Sequence, residues 1–296
     1  MSTKERRQTD KVNALPIPAV VVVALVTQVP LVVTLILSVL KWIIVRPDMG
    51  IRFVGLDNYL AVLKDGEFYM VVLNTAVLSV VSLVGCTILG LALALLLNRK
   101  FIGINFVRTL LIAPFFVMDA VVGIIWKTLM LHPSFGINGL IATALHLKPL
   151  DFLGSHSLST IMLLVIWQWT PFFVLILLSG FEGISEEILD SAKVDGAGTW
   201  RTIFQIKIPA IASHIEVAVM LGLIFILKVF GIIYVTTSGG PGISSANLPY
   251  LVYRTGFFRW DVGRATAMAV ITVILTLVAI TAFFRFARSK TSEVES

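Results

Sequence analysis

Two kinds of residue in this 296-residue chain could do chemistry. The first is a face: Val165, Gln168, Trp169 and Phe172 fall at i, i+3, i+4 and i+7 of an apolar run, so a helix brings them to one side. An amide that can bond hydroxyls, set beside rings that can lie under C–H faces, suits a polyhydroxylated ligand such as a sugar or polyol. The same stripe equally suits helix–helix packing, with the amide bonded across to a neighbouring helix. The second kind is charge inside apolar sequence. Asp119 lies near the midpoint of one run and Lys228 past the midpoint of another. A central charge costs roughly 2.5–3.5 kcal/mol even on insertion scales, so these two are either a structural ion pair or groups that line a passage. Lys127 and Glu216 lie near enough to run ends to snorkel and are given no role.

Other chemistry is poorly provided for. Cys86 is the single cysteine and sits in an apolar run, which rules out a disulfide framework and a thiolate metal site and leaves it as a small packing residue. His132, His146 and His156 share one loop, but spacings of 14 and 10 do not place two ligands on one helical face. No G-x4-G-K-[ST] phosphate loop, no H-E-x-x-H and no accessible Ser/His/Asp set occurs, so no catalytic residue, cofactor or metal is expected on the chain, which is not itself an enzyme.

The elements that must position these residues follow from composition. The chain is 57% hydrophobic and 14% charged, with a mean hydropathy of +0.96, which makes it an integral membrane protein. A crossing needs about 20 apolar residues, and six runs qualify, near 15–40, 70–97, 106–131, 158–180, 213–237 and 264–286. Short alternating segments are few, so a barrel is not expected. The fold class is therefore all-α, with a six-span domain over 15–286 between tails 1–14 and 287–296. The first run follows Lys4, Arg6, Arg7 and Lys11 as a signal peptide would, but it greatly exceeds an h-region of roughly 7–15 residues and no small-residue cleavage site follows. Thirteen Lys/Arg flank one side of the spans and eight the other, which puts both termini in the cytoplasm. The net charge of +6 needs only anionic lipid to account for it, and no nucleic acid.

The outer loops carry Pro47, Gly50, Gly55 and Gly66 around a short helix expected along Asp57 to Lys64. A second outer loop, 132–157, is expected to cap the outer surface or partly re-enter. The run Gly239-Gly240-Pro241-Gly242 must end the fifth span. The cytoplasmic loop 181–212 is unusual. Ser185 precedes Glu186 and Glu187, a hydroxyl cap and two first-turn acids for a helix with Ile188, Leu189 and Ala192 on its apolar stripe. Gly196 and Gly198 then end it, and Thr199 is expected to cap a second helix that turns Trp200, Ile203 and Phe204 to one side before Pro209 closes the segment. Helices this short are marginal in water, so something must hold them. Burying each such side chain contributes on the order of 1.5–3 kcal/mol, whether against a partner or against the protein's own helix ends.

Read from Asp190-Ser191-Ala192 through Gly196 to Ile206, Ile208 and Pro209, this loop resembles the signature E-A-A-x3-G-x9-I-x-L-P of binding-protein-dependent ABC importer permeases. Asp for Glu, Ser for Ala and Ile for Leu are its departures. Phe53 through Tyr59, Asn74-Thr75, Pro114 through Trp126, Asp195 through Gly198 and Gly239 through Gly242 are similar to blocks of the carbohydrate-uptake permeases, and 247–253 and 257–267 most resemble the sorbitol and mannitol members. The resemblance implies a type I ABC importer transmembrane domain in a bacterial inner membrane. It also implies a second homologous permease, a dimer of cytoplasmic ATPase subunits holding ATP and Mg, and an extracytoplasmic solute-binding protein. Ile188, Leu189, Asp190, Ala192, Gly196, Trp200, Phe204 and Pro209 would then form the coupling element, seated in a cleft of one ATPase. The family register assigns Val165, Gln168, Trp169 and Phe172 to the substrate path, joined from the fifth span by Gly222, Phe225, Ile226 and Val229. Gly231 stands where family members often carry Asp. Two rivals remain open: an ion-coupled secondary transporter with Asp119 as its ion site, and a membrane sensor or scaffold.

Overall fold

The computed structural model describes residues 17–99 and 101–294. The N-terminal tail 1–14 and the basic residues assigned to it therefore lie outside the described residues, as does Lys100. Among the described residues, five helices are long and apolar enough to cross a membrane, or six when one strongly bent pair is taken as a single span. The chain divides into two compact units, one of 1–65 with 252–273 and the other of 66–251 with 274–296.

In the smaller unit, helix α1 (Ile17–Ser38) is apolar on every side, with Val22, Leu25 and Val26 exposed. Two-residue strands β1 (Leu40–Lys41) and β2 (Arg52–Phe53) pair antiparallel, a small departure from an all-helical chain. The short helix expected near Asp57 is α2 (Asp57–Leu63). Its Asn58 amide donates to the carbonyls of Ser38 and Leu40, both at 2.9 Å. Since those carbonyls end a helix and begin a strand, one side chain satisfies acceptors that regular structure leaves open. Arg264 pairs with Asp65, and Gly263 lies so close to the Leu40 carbonyl that a Cβ there would come within 2.1 Å of its oxygen.

The larger unit is built on α3 (Gly66–Leu97) and α7 (Ser157–Glu182), which pack along much of their length. Phe173 of α7 is fully buried between two glycines. A Cβ on Gly90 would stand 2.7 Å from its Cβ, and one on Gly222 would stand 2.4 Å from its ring. Small residues let the three helices approach where lipid offers little hydrophobic drive. Cys86, Leu177, Phe181 and Ile211 complete this core, so Cys86 has the packing place expected of it.

Two spans expected as continuous are broken. The third is α4 (Ile104–Ile112), prolonged by a 3-10 turn to Phe116, then α5 (Asp119–Ile124) with a π segment to Met130, the halves meeting at 97°. Pro114 lies in the first turn of that 3-10 segment, Ala113–Phe116, and Val117 and Met118 adopt extended ψ of 132° and 141°. Proline lacks the donor a continuous helix needs. Asp119 consequently opens a half-helix instead of sitting mid-span. A 16-residue helix Ala212–Leu227 and the short Gly231–Thr236 make up the fifth span, separated at Lys228, Val229 and Phe230. The last helix runs Val262–Val294, beyond the boundary expected near 286. The 132–157 loop holds its own helix, α6 (Ile137–Ala144).

Candidate functional site

Around the first break, Gln168 does two tasks at once. Its Nε2 donates to the Val117 carbonyl at 2.8 Å and to Asp119 Oδ1 at 3.0 Å. The first bond satisfies an acceptor freed by the interrupted helix, and the second engages a carboxylate oxygen of the half-buried Asp119. This fixes the amide's orientation, since only the nitrogen can donate to both. Among the described residues its Oε1 is buried without a hydrogen-bond partner, as is Trp169 Nε1.

Trp169 stacks on Phe225 at 4.9 Å and 18°, and Phe115 meets Trp169 at 5.7 Å and Phe172 at 5.6 Å. Gln168, Trp169, Phe172 and Phe225 are thus brought together, with Phe115 as a member that spacing within single helices did not reveal. The remaining residues assigned to the path from the register are placed otherwise. Val165, Gly222, Ile226 and Val229 are all buried in the packing of this chain. The stripe on the fourth span therefore combines both readings, packing at Val165 and Gln168 and a partly open aromatic face at Trp169 and Phe172.

Asp119 and Lys228 form no ion pair among the described residues. Asp119 is held by Gln168, while Lys228 is exposed with Nζ 5.9 Å from the Phe225 ring centroid, within cation–π range. Lys228 lies at the second break, where the Val229 carbonyl accepts from Asn247 Nδ2 at 2.5 Å. The two breaks touch. A Cβ on Gly231 would lie 2.7 Å from Asp119 Cβ and 3.0 Å from the Ala120 nitrogen, so Asp119 occupies the space that a side chain at 231 would need. Lys127, given no role from sequence, donates to the Val235 carbonyl at 3.0 Å and ties the two half-helices again.

At the far end of the same unit, α8 (Glu186–Val194) starts as expected, with Ser185 Oγ accepting from the Ile188 nitrogen at 3.4 Å. Lys193 pairs with Asp190 at 2.8 Å, and that hydrogen bond and charge raise the lysine's pKa above its ordinary value. Gly196 takes φ +71°, a conformation L side chains rarely adopt, so the turn between the two helices requires glycine there. The second helix is capped at Gly198 without a side-chain bond, and Thr199 is its first residue, which corrects the expected cap. It continues through a π segment, Thr202–Lys207, to Ala210. Pro209 therefore lies within the last turn and does not stop the helix. The wider π turn brings the Ile208 nitrogen to the Ile203 carbonyl. Ala192 faces inward and Leu189 is half-buried, but Ile188, Trp200 and Phe204 are 51%, 73% and 60% exposed. Trp200 and Phe204 stack on each other at 5.9 Å and 15°. Ile203, expected beside them, is half-buried instead. The loop's base is braced by Arg108, whose guanidinium donates to the Leu97 carbonyl at 2.9 Å and to Glu182 at 2.8 Å.

Residues 86–291 match the family model described as binding-protein-dependent transport system inner membrane component. The chain is similar to a probable ABC transporter permease protein, y4oQ, of Sinorhizobium fredii, at 34% identity over 88% of this chain and 84% of that one. It is also 34% identical to the trehalose/maltose transport system permease protein MalF of Thermococcus litoralis, over 76% of each. A solved bacterial alginate ABC transporter chain shares the fold, with a TM-score of 0.83 at 22% identity and 97% of both chains covered. On the family match over 86–291 and these relatives, the chain belongs to the binding-protein-dependent transport system inner membrane components, as a membrane-spanning permease subunit of such an importer.

Proposed function

We propose that the chain is one of two permease subunits that together form the path of an ATP-driven importer for a carbohydrate, a sugar or polyol. The loop from Glu186 to Phe204 receives the drive from a cytoplasmic ATPase dimer, which holds the ATP and Mg. A solute-binding protein delivers the ligand from outside, and both termini of this chain face the cytoplasm of a bacterial cell. The observation that carries the reading is the stacked pair Trp200 and Phe204, held out to solvent on a helix set off by Gly196. Exposed large rings on a braced hairpin fit a cleft in another protein. The trehalose/maltose permease relative supports a carbohydrate, and the cluster of Phe115, Trp169, Phe172 and Phe225 offers the ring faces such a ligand uses.

The test is transport and ATP hydrolysis by the reconstituted complex. Trp200→Ser with Phe204→Ser should abolish uptake while the complex inserts and its ATPase no longer responds to the loaded binding protein. Normal uptake by that variant overturns the coupling role. Uptake driven by an ion gradient without ATP would favour a secondary transporter instead.

A further inference from the structure

We propose that the chain binds the headgroup of an anionic phospholipid between the C-terminal end of α3 and the helix that begins at Thr199. A groove of about 670 Å³ lies there, within the range of small-ligand sites. Leu95, Leu96 and Ile203 form apolar walls, Arg99, Lys193 and Lys207 supply cations, and no carboxylate lines it among the described residues. Lys193 is already neutralised by Asp190. Arg99 and Lys207 have no ion-pair partner among the described residues, and Arg99 is exposed while Lys207 is half-buried, so both charges are open to an anion. An anion is what the groove lacks.

Its depth selects the source of that anion. Helix α3 ends at Leu97 and the first helix of the fifth span begins at Ala212, so Arg99 and Lys207 lie within a few residues of two span ends, which sets them at headgroup level in the proposed site. Leu96, 57% exposed just before Arg99, gives an acyl chain apolar surface directly above the charge. The adjoining cavity of about 530 Å³ shares Arg99 and Lys207 but also carries Glu182 and Glu186, so a phosphate is directed to the carboxylate-free side. Trp200 lines the groove as well. A lipid seated there therefore stiffens the loop assigned above to coupling, a consequence that rests on that assignment, although binding does not.

The experiment uses the complete importer complex, equilibrated with nanodiscs of equal phosphatidylglycerol and phosphatidylcholine, and counts retained lipid by native mass spectrometry. Wild type should hold phosphatidylglycerol in preference to phosphatidylcholine. Arg99→Gln with Lys207→Gln should lower phosphatidylglycerol retention about tenfold with little change for phosphatidylcholine, and Arg99→Lys with Lys207→Arg should keep it. Equal retention by the charge-free variant, with its melting temperature unchanged, overturns the site. Displacement of the lipid by millimolar inorganic phosphate, with no dependence on acyl chains, would assign the groove to a free phosphate and overturn the lipid reading. Normal uptake by Trp200→Ser, with lipid retention still lost on removing Arg99 and Lys207 charge, would sink the coupling role and leave the lipid site standing.

Discussion

Gln168 is the residue on which the intramembrane site turns, because one amide nitrogen serves both the Val117 carbonyl and Asp119. Gln168→Leu keeps the volume but strands both acceptors, and should destabilise the protein by about 1–3 kcal/mol, read as a lower melting temperature in detergent. Asp119→Asn retains an oxygen for the same donor and should melt near wild type. If the two variants melt alike, the amide is not what holds the break. Trp169 makes a different contribution. Its stacking partner Phe225 is worth about 0.5–1.5 kcal/mol beyond area, so Trp169→Ala should shift substrate affinity or selection roughly 2- to 10-fold while basal ATP hydrolysis continues. Unchanged selectivity would remove Trp169 from the ligand's path. Helical spacing alone put Gln168 and Trp169 on one face, but spacing could not say that Gln168 turns back into its own protein. That depended on where the third span breaks, four dozen residues away in sequence.

Broken helices are the element-scale theme. The two breaks in the larger unit abut at Asp119 and Gly231, where an added Cβ would stand 2.7 Å from Asp119 Cβ. Gly231→Ala must therefore move a half-helix, and should cost about 1–3 kcal/mol as an overpacked contact. Asp119→Gly removes the opposing Cβ and should restore part of that loss, the signature of direct contact in a double-mutant cycle. Additive effects on melting would show that the half-helices do not press on each other. Apolar periodicity located the spans but not their interruptions, since Pro114 is tolerated in many membrane helices and Lys228-Val229-Phe230 contains no helix breaker at all. The second break is stabilised from outside, by Asn247 donating to Val229, and a long-range hydrogen bond leaves no local trace. The loop helices were more legible, because caps and glycines act within a few residues: Ser185 and Gly196 fell where expected, while Thr199 yielded the cap to Gly198.

At the scale of the whole molecule, orientation is the property most open to a direct test. The lone Cys86 is fully buried, so a cysteine introduced elsewhere reports with little background. Val194→Cys, at a site 87% exposed, should react with a membrane-impermeant maleimide only in inverted vesicles. A cysteine at His146, on the opposite loop, should react only in intact cells. The reverse pattern would turn the topology over and remove the loop from any cytoplasmic ATPase. By itself the sequence determined the solvent, the apolar runs that supply the crossings, the hinged loop and the family, because hydropathy, capping and glycine rules act over single turns or single spans. Tertiary structure alone decided which members of a face are core and which are open, that Asp119 is held by Gln168 and not Lys228, and that two helix breaks share one contact. Those outcomes depend on distances between segments far apart in the chain, where burial and hydrogen-bond satisfaction choose among pairings that local periodicity leaves equivalent.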